Sequence, residues 1–222
     1  MNTESILKSL GPVGAPSGLL DLLTYIKSYC HDHGISVLLG DKNDVDSGDG
    51  VGCSGYFEAT EKVLAVAVGK SVHRWLPILM HEFCHAKQYM EDPKWFLRCS
   101  TSESLLFEWA YGKREMKRPT MMKHLKLCIE IERDCEDRAV ALIKKFKIAS
   151  VVPVADYARK ANAYLYFWRY FADTRQWYER GNPPYEQKEL CGLMPSEIQK
   201  SYMRMPKAVR QAFHEAMARG TR

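Results

Sequence analysis

The stretch SVHRWLPILMHEFCHAKQYM (71–90) decides how the rest of this chain is read. Ser71 suits an N-cap, and Leu76, Leu79, Met80 and Phe83 recur at helical spacing, which predicts an amphipathic helix ending near Met90. Pro77 falls in its early turns, so a late start or a kink is expected there. Within the helix, His81-Glu82-Phe83-Cys84-His85 is an HExxH sequence. Positions i and i+4 share one face about 5–6 Å apart, so both imidazoles reach one ion. Glu82, one residue on, can touch a water on that ion without ligating it. Zinc in such a site keeps an open coordination position and acidifies the water held there. The competing reading is a pair of ordinary helix histidines.

A catalytic zinc usually takes three protein ligands, so a further one is sought downstream. In LKLCIEIERDCEDRAVALIKKF (125–146), Leu125, Ile129, Ala139, Val140 and Ile143 make one apolar stripe at 100° per residue. Glu132 and Glu136 fall in the middle of that stripe, whereas Glu130, Asp134 and Asp137 point the other way. Carboxylates on a core-facing stripe are costly unless paired or bound to metal. Glu132 is therefore the expected third ligand. Glu136, one turn on, is the expected acceptor for the N–H of a ligating imidazole. The alternative is a pair of carboxylates bridged to Lys or Arg in the core. No H-x-x-G-x-x-H continuation follows His85, which argues against a third histidine.

Around these helices the chain reads as α+β and helix-rich. Residues 1–17 are Gly/Pro/Ser-rich and expected to be irregular. A helix is expected from Ser17 to about His33, ended by Gly34, then a short buried strand at ISVLLG (35–40). DKNDVDSGDGVG (41–52) reads as an acidic surface loop, because its oxygen ligands fall out of register for a calcium loop. CSGYFEATEKVLAVAVG (53–69) reads as a hairpin turning at Thr60–Lys62. After an Asp-Pro break come a short helix in STSESLLFEWAYGKREM, a long helix over 120–147, and a helix of about 25 residues from ADYARKANAYLYFWRYFADTRQWYE. GNPP (181–184) interrupts, and helical pieces are expected near 195–202 and 206–218. A core over 1–150 with a helical extension over 151–222 is the expected organisation.

GYFEATEKVLAV (55–66), the HEFCH pentapeptide (81–85) and ERDCEDRA (132–139) are similar, in that order, to the ImmA/IrrE-type metallopeptidases. That resemblance covers roughly residues 19–147. It implies a compact gluzincin: a small mixed or antiparallel sheet packed on an HExxH helix and a second ligand-bearing helix. It also implies one zinc ion held by His81, His85 and Glu132, with Glu82 as the base, and a protein substrate of regulatory kind, in a family often encoded by phages or mobile elements. Glu136 stands where the family has Asn or Asp, Arg138 where Phe is usual and Cys135 where Ala is usual.

The chain has 222 residues and a net charge of +5. Residues 1–143 carry 17 Lys/Arg against 20 Asp/Glu, and residues 144–222 carry 15 against 7. A basic C-terminal third points to nucleic acid or an acidic partner, or to a solvated helical surface, which is favoured. Seven cysteines without a CxxC, no secretory signal and no apolar run of spanning length fit a cytoplasmic protein with reduced thiols and no membrane partner. The leading expectation is a zinc endopeptidase acting on a peptide bond. The alternative is a binding protein on the same scaffold, with structural zinc and a basic surface for nucleic acid or protein. For the peptidase, the strand KVLAVAV, with Val63, Ala65 and Ala67, would bind substrate by strand addition. Tyr164 or Tyr166 would donate to the oxyanion. The aromatic run 161–178, with Arg159, Lys160, Arg169 and Arg175 interleaved, is otherwise core or a base-stacking surface.

Overall fold

The computed structural model describes residues 17–46, 52–179 and 181–220. The expected irregular N-terminus and the centre of the 41–52 loop therefore lie outside the described residues. The fold is α+β, helix-rich, with a small mixed sheet. Its helices are α1 (Ser17–Asp32), α2 (Val72–Glu91), α3 (Pro93–Ala110), α4 (Arg118–Lys145), α5 (Val154–Thr174), α6 (Lys188–Gly192) and α7 (Lys207–Gly220). The strands are β1 (Ser36–Gly40), β2 (Val45–Asp46), β3 (Gly52–Cys53), β4 (Gly55–Glu58) and β5 (Val63–Ala67). Two compact units divide the chain: residues up to Pro93 with Arg138–Val154, and Lys94–Asp137 with Ala155 onward.

In the first unit the sheet order is β1-β5-β4, with β1 parallel and β4 antiparallel to β5. Leu64, Ala65, Val66 and Ala67 are all buried, so both faces of β5 are covered and its sequence runs apolar without alternation. The β4–β5 hairpin turns where expected: Glu58 accepts from the backbone amides of Thr60 and Glu61, and Lys62 takes a left-handed φ of 50°. α2 packs on β5 and β4 and buries Trp75, Leu76, Leu79, Met80 and Phe83. Pro77 is the sixth residue of α2, and the helix runs through it. Phe83 meets Tyr29 and Tyr25 of α1 edge-on, with centroids 5.3 and 5.8 Å away. Arg138 pairs with Glu91 at the end of α2 at 2.6 Å. The 41–52 loop contributes β2, which pairs antiparallel with β3.

Among the described residues, the second unit is all helix and irregular chain. Leu106, Trp109, Leu125, Cys128 and Ile129 share one core with Phe167, Trp168, Phe171, Tyr202 and Phe213. The expected division at residue 150 gives way for that reason: the apolar faces of α3 and of the first part of α4 are buried with the C-terminal helices. α5 is buried almost all round. It stops at Thr174, because Arg175 adopts φ 58°, and Trp177 and Tyr178 pack against Phe167 at 5.0 and 5.4 Å. α3 starts earlier than expected, at Pro93, a residue preorganised for the first helical position.

The helix expected over 195–202 is absent. Asn162, fully buried on α5, instead donates to the carbonyls of Pro195 and Glu197 at 2.9 and 2.8 Å. Its Oδ1 accepts from the Gln199 amide at 3.2 Å and the Tyr202 hydroxyl at 2.5 Å. A side chain thus takes the backbone groups that a helix would use. Asn162→Ala is expected to cost about 2–4 kcal/mol, because it strands several buried donors and acceptors. The midpoint of urea unfolding measures it.

Candidate metal centre

α2 turns His81 and His85 to the same face. Their Nε2 atoms lie 3.1 Å apart, with the rings edge to face. Nδ1 of His85 lies 2.8 Å from Gln88 Oε1, and Gln88 is buried. An amide oxygen only accepts, so the proton of His85 sits on Nδ1 and its Nε2 presents a lone pair. Two nitrogens at this separation span the bite of one ion bound at about 2.0–2.1 Å. The pair therefore fits a metal in geometry, and His85 fits it in tautomer.

Among the described residues, the side chains that could hold a metal ion are His81, His85 and Cys135. Imidazole and thiolate suit several transition metals, so the donors leave the element open. Sequence reasoning named Glu132 in place of Cys135. Both residues are buried, one turn apart on α4.

The helical phase of α4 is as expected. Glu132 and Glu136 are 7% and 5% exposed, Glu130 and Asp134 are half-buried, and Asp137 is exposed. Glu136 accepts a 2.5 Å hydrogen bond from the Tyr157 hydroxyl of α5. Glu132 works on the groups around it. Burial first, and then the charges of Glu132 and Glu103, keep the Tyr164 hydroxyl well above the usual tyrosine range. The Cys128 thiol is pushed up the same way, by burial and then by Glu103 and Glu132. Tyr164 is thus a neutral donor beside Glu132. Tyr166 is not available for that role, since its hydroxyl is committed to Gln199 Oε1 at 3.0 Å.

The substrate strand needs a second correction. Val63, Ala65 and Ala67 belong to β5, whose two sides are already paired with β1 and β4. The sheet edge beside the HExxH helix is β4. A Cβ built at Gly55 would meet Ile78 Cγ2 at 2.7 Å, the Ala65 carbonyl oxygen at 3.0 Å and Glu82 Cγ at 3.4 Å. β4 therefore lies against the stem of Glu82, and only glycine fits at that crossing. The base-stacking surface is also corrected, because Phe167, Trp168, Tyr170 and Phe171 are buried and Arg169 is paired with Asp173 at 2.7 Å.

Gln88, Gly55 and Tyr157 escaped sequence reasoning. Gln88 had a readable signal, being an amide three residues past His85 on the same helix face. Gln88→Leu is expected to weaken metal affinity about 10–100-fold, as loss of a partner that orients a ligand does. Competition with a chelator measures it, with circular dichroism showing that the helix is kept. Comparison with protein-family models, curated proteins and solved structures returns no match for this chain.

Proposed function

We propose that this chain is a zinc-dependent endopeptidase of compact gluzincin architecture, similar to the ImmA/IrrE-type metallopeptidases, that hydrolyses a peptide bond in a protein substrate. The observation that carries the reading is the His81–His85 pair on one helix, nitrogen to nitrogen at 3.1 Å, with Gln88 setting the tautomer of His85. Zinc would be held by His81 and His85, with Glu132 completing the set and Glu136 supporting it. Held by these residues, such an ion would supply Lewis-acid polarisation of the scissile carbonyl and a lowered pKa for water.

The remaining chemistry belongs to side chains. Glu82 takes the proton of the attacking water and returns it to the leaving amine. Tyr164, kept protonated, donates a hydrogen bond to the oxygen on which charge develops. An extended substrate adds to the outer edge of β4, which brings its backbone past Glu82. Gly55→Ala is expected to lower turnover while leaving metal content unchanged, since a methyl there presses on Ile78 and the Ala65 carbonyl beside the Glu82 stem rather than on the histidines. Turnover together with elemental analysis separates the two effects.

The test of the whole reading is incubation of the zinc-loaded protein with a proteome-derived peptide mixture, read by mass spectrometry. Metal-dependent cleavage is the expected result. Stoichiometric zinc without any cleavage would instead favour the binding-protein alternative.

A further inference from the structure

A cleft of about 140 Å³ opens in the second unit between α4 and the chain segment held by Asn162. Lys126, Glu130 and Arg133 line one wall at positions i, i+4 and i+7, and Lys200, Ser201 and Met203 line the other. Ile129 and Tyr202, both buried, form its floor. Three cations thus face one carboxylate. Lys126 is engaged with that carboxylate, Glu130, at 3.6 Å, whereas Arg133 and Lys200 enter no ion pair among the described residues. Asp137, the next acidic group along α4, is exposed and lies within electrostatic reach of Arg133.

The wall carrying Lys200 and Ser201 has no regular secondary structure, yet it is fixed. Tyr202 and Gln199 are bonded to Asn162, and Gln199 also accepts from Tyr166. A polar network buried in an aromatic core therefore holds a basic, hydroxyl-bearing edge opposite a basic helix face. Such preorganisation removes the ordering cost that flexible lysines would otherwise add to binding.

We propose that this cleft is a docking site for a phosphoryl group carried on a peptide partner, separate from the proposed hydrolytic chemistry. Arg133 and Lys200, outside any ion pair among the described residues, match a dianion, and the arginine fork with the Ser201 hydroxyl suits tetrahedral oxygens better than a single carboxylate. The volume is below that of pockets enclosing whole small molecules, so it takes a group projecting from a chain. Nucleic acid is disfavoured because the only aromatic ring in the lining, Tyr202, is buried as floor and offers no face for base stacking.

The experiment titrates the full-length protein with a phosphoserine peptide, its unphosphorylated and glutamate-substituted counterparts, inorganic phosphate and a single-stranded oligoribonucleotide. The phosphopeptide is expected to bind saturably and to be displaced by inorganic phosphate. Arg133→Gln and Lys200→Gln, both outside the core, should each weaken it about tenfold to a hundredfold without changing the unfolding midpoint. Glu82→Gln should bind it as the parent does, so a failed peptidase reading leaves this result standing. Equal affinity for the glutamate or unphosphorylated peptide, binding indifferent to Arg133→Gln and Lys200→Gln, or RNA binding lost in those variants in place of phosphopeptide binding would each overturn the proposal.

Discussion

Glu82→Gln is expected to keep a full complement of zinc and to lose hydrolysis by about 10²–10⁴-fold. The size follows from what the substitution removes. Glutamine has the same length and hydrogen-bonding reach but cannot take a proton, so water must be deprotonated by bulk solvent. The metal is unaffected because the Nε2 atoms of His81 and His85 and the Nδ1 contact to Gln88 involve no atom of Glu82. Glu82 is also half-buried on α2, with its stem close to β4 through Gly55, so an isosteric amide leaves that packing in place. Metal content by elemental analysis and cleavage by mass spectrometry are read on one preparation. Turnover within tenfold of the parent would remove Glu82 from the mechanism. Loss of zinc together with activity would make it a structural residue.

What the sequence made legible is what helical and strand periodicity encode. The burial of Glu132 and Glu136 against the exposure of Asp137 follows from 100° steps along α4, and no tertiary knowledge is needed to see it. The hairpin at Thr60–Lys62 was readable from its turn and its apolar run. The features that escaped are those set by partners distant in sequence. Strand order is one: nothing in KVLAVAV says that ISVLLG will pair along its other side, so β5 could be taken for an edge. The Asn162 network is another, since a lone Asn in an aromatic helix gives no hint that it will capture a segment more than thirty residues on. Tyr157 is a third, because its bond to Glu136 joins two helices whose relative rotation periodicity does not supply. Cys135 and Arg138 are readable as residues of α4 but not by what they meet. Only the structure shows that Arg138 has become the partner of Glu91.

Glu132→Ala is expected to lower zinc affinity more than about 100-fold, beyond what loss of an orienting partner commands, while Cys135→Ala should change it less than about tenfold. Both residues are buried and both offer a donor, but they carry different burdens. A buried thiol behaves as a small apolar side chain and needs no partner. A buried carboxylate does need compensation, and Glu132 is only 7% exposed, among Tyr164 and Cys128, whose hydroxyl and thiol are raised first by burial and then by neighbouring carboxylates. A cation beside it supplies that compensation directly. His₂Glu is moreover a recurrent ligand set for hydrolytic zinc. Because Cys135 belongs to the group that could hold a metal, the reverse outcome has a definite meaning. If Cys135→Ala releases zinc and Glu132→Ala does not, the ligand set is His₂Cys and the gluzincin reading falls. Cobalt substitution decides this independently of affinity, since a thiolate ligand adds an intense near-ultraviolet charge-transfer band that a carboxylate cannot. Its absence in the parent protein is the expected spectrum. Its presence, abolished by Cys135→Ala, would move the third ligand one turn along α4.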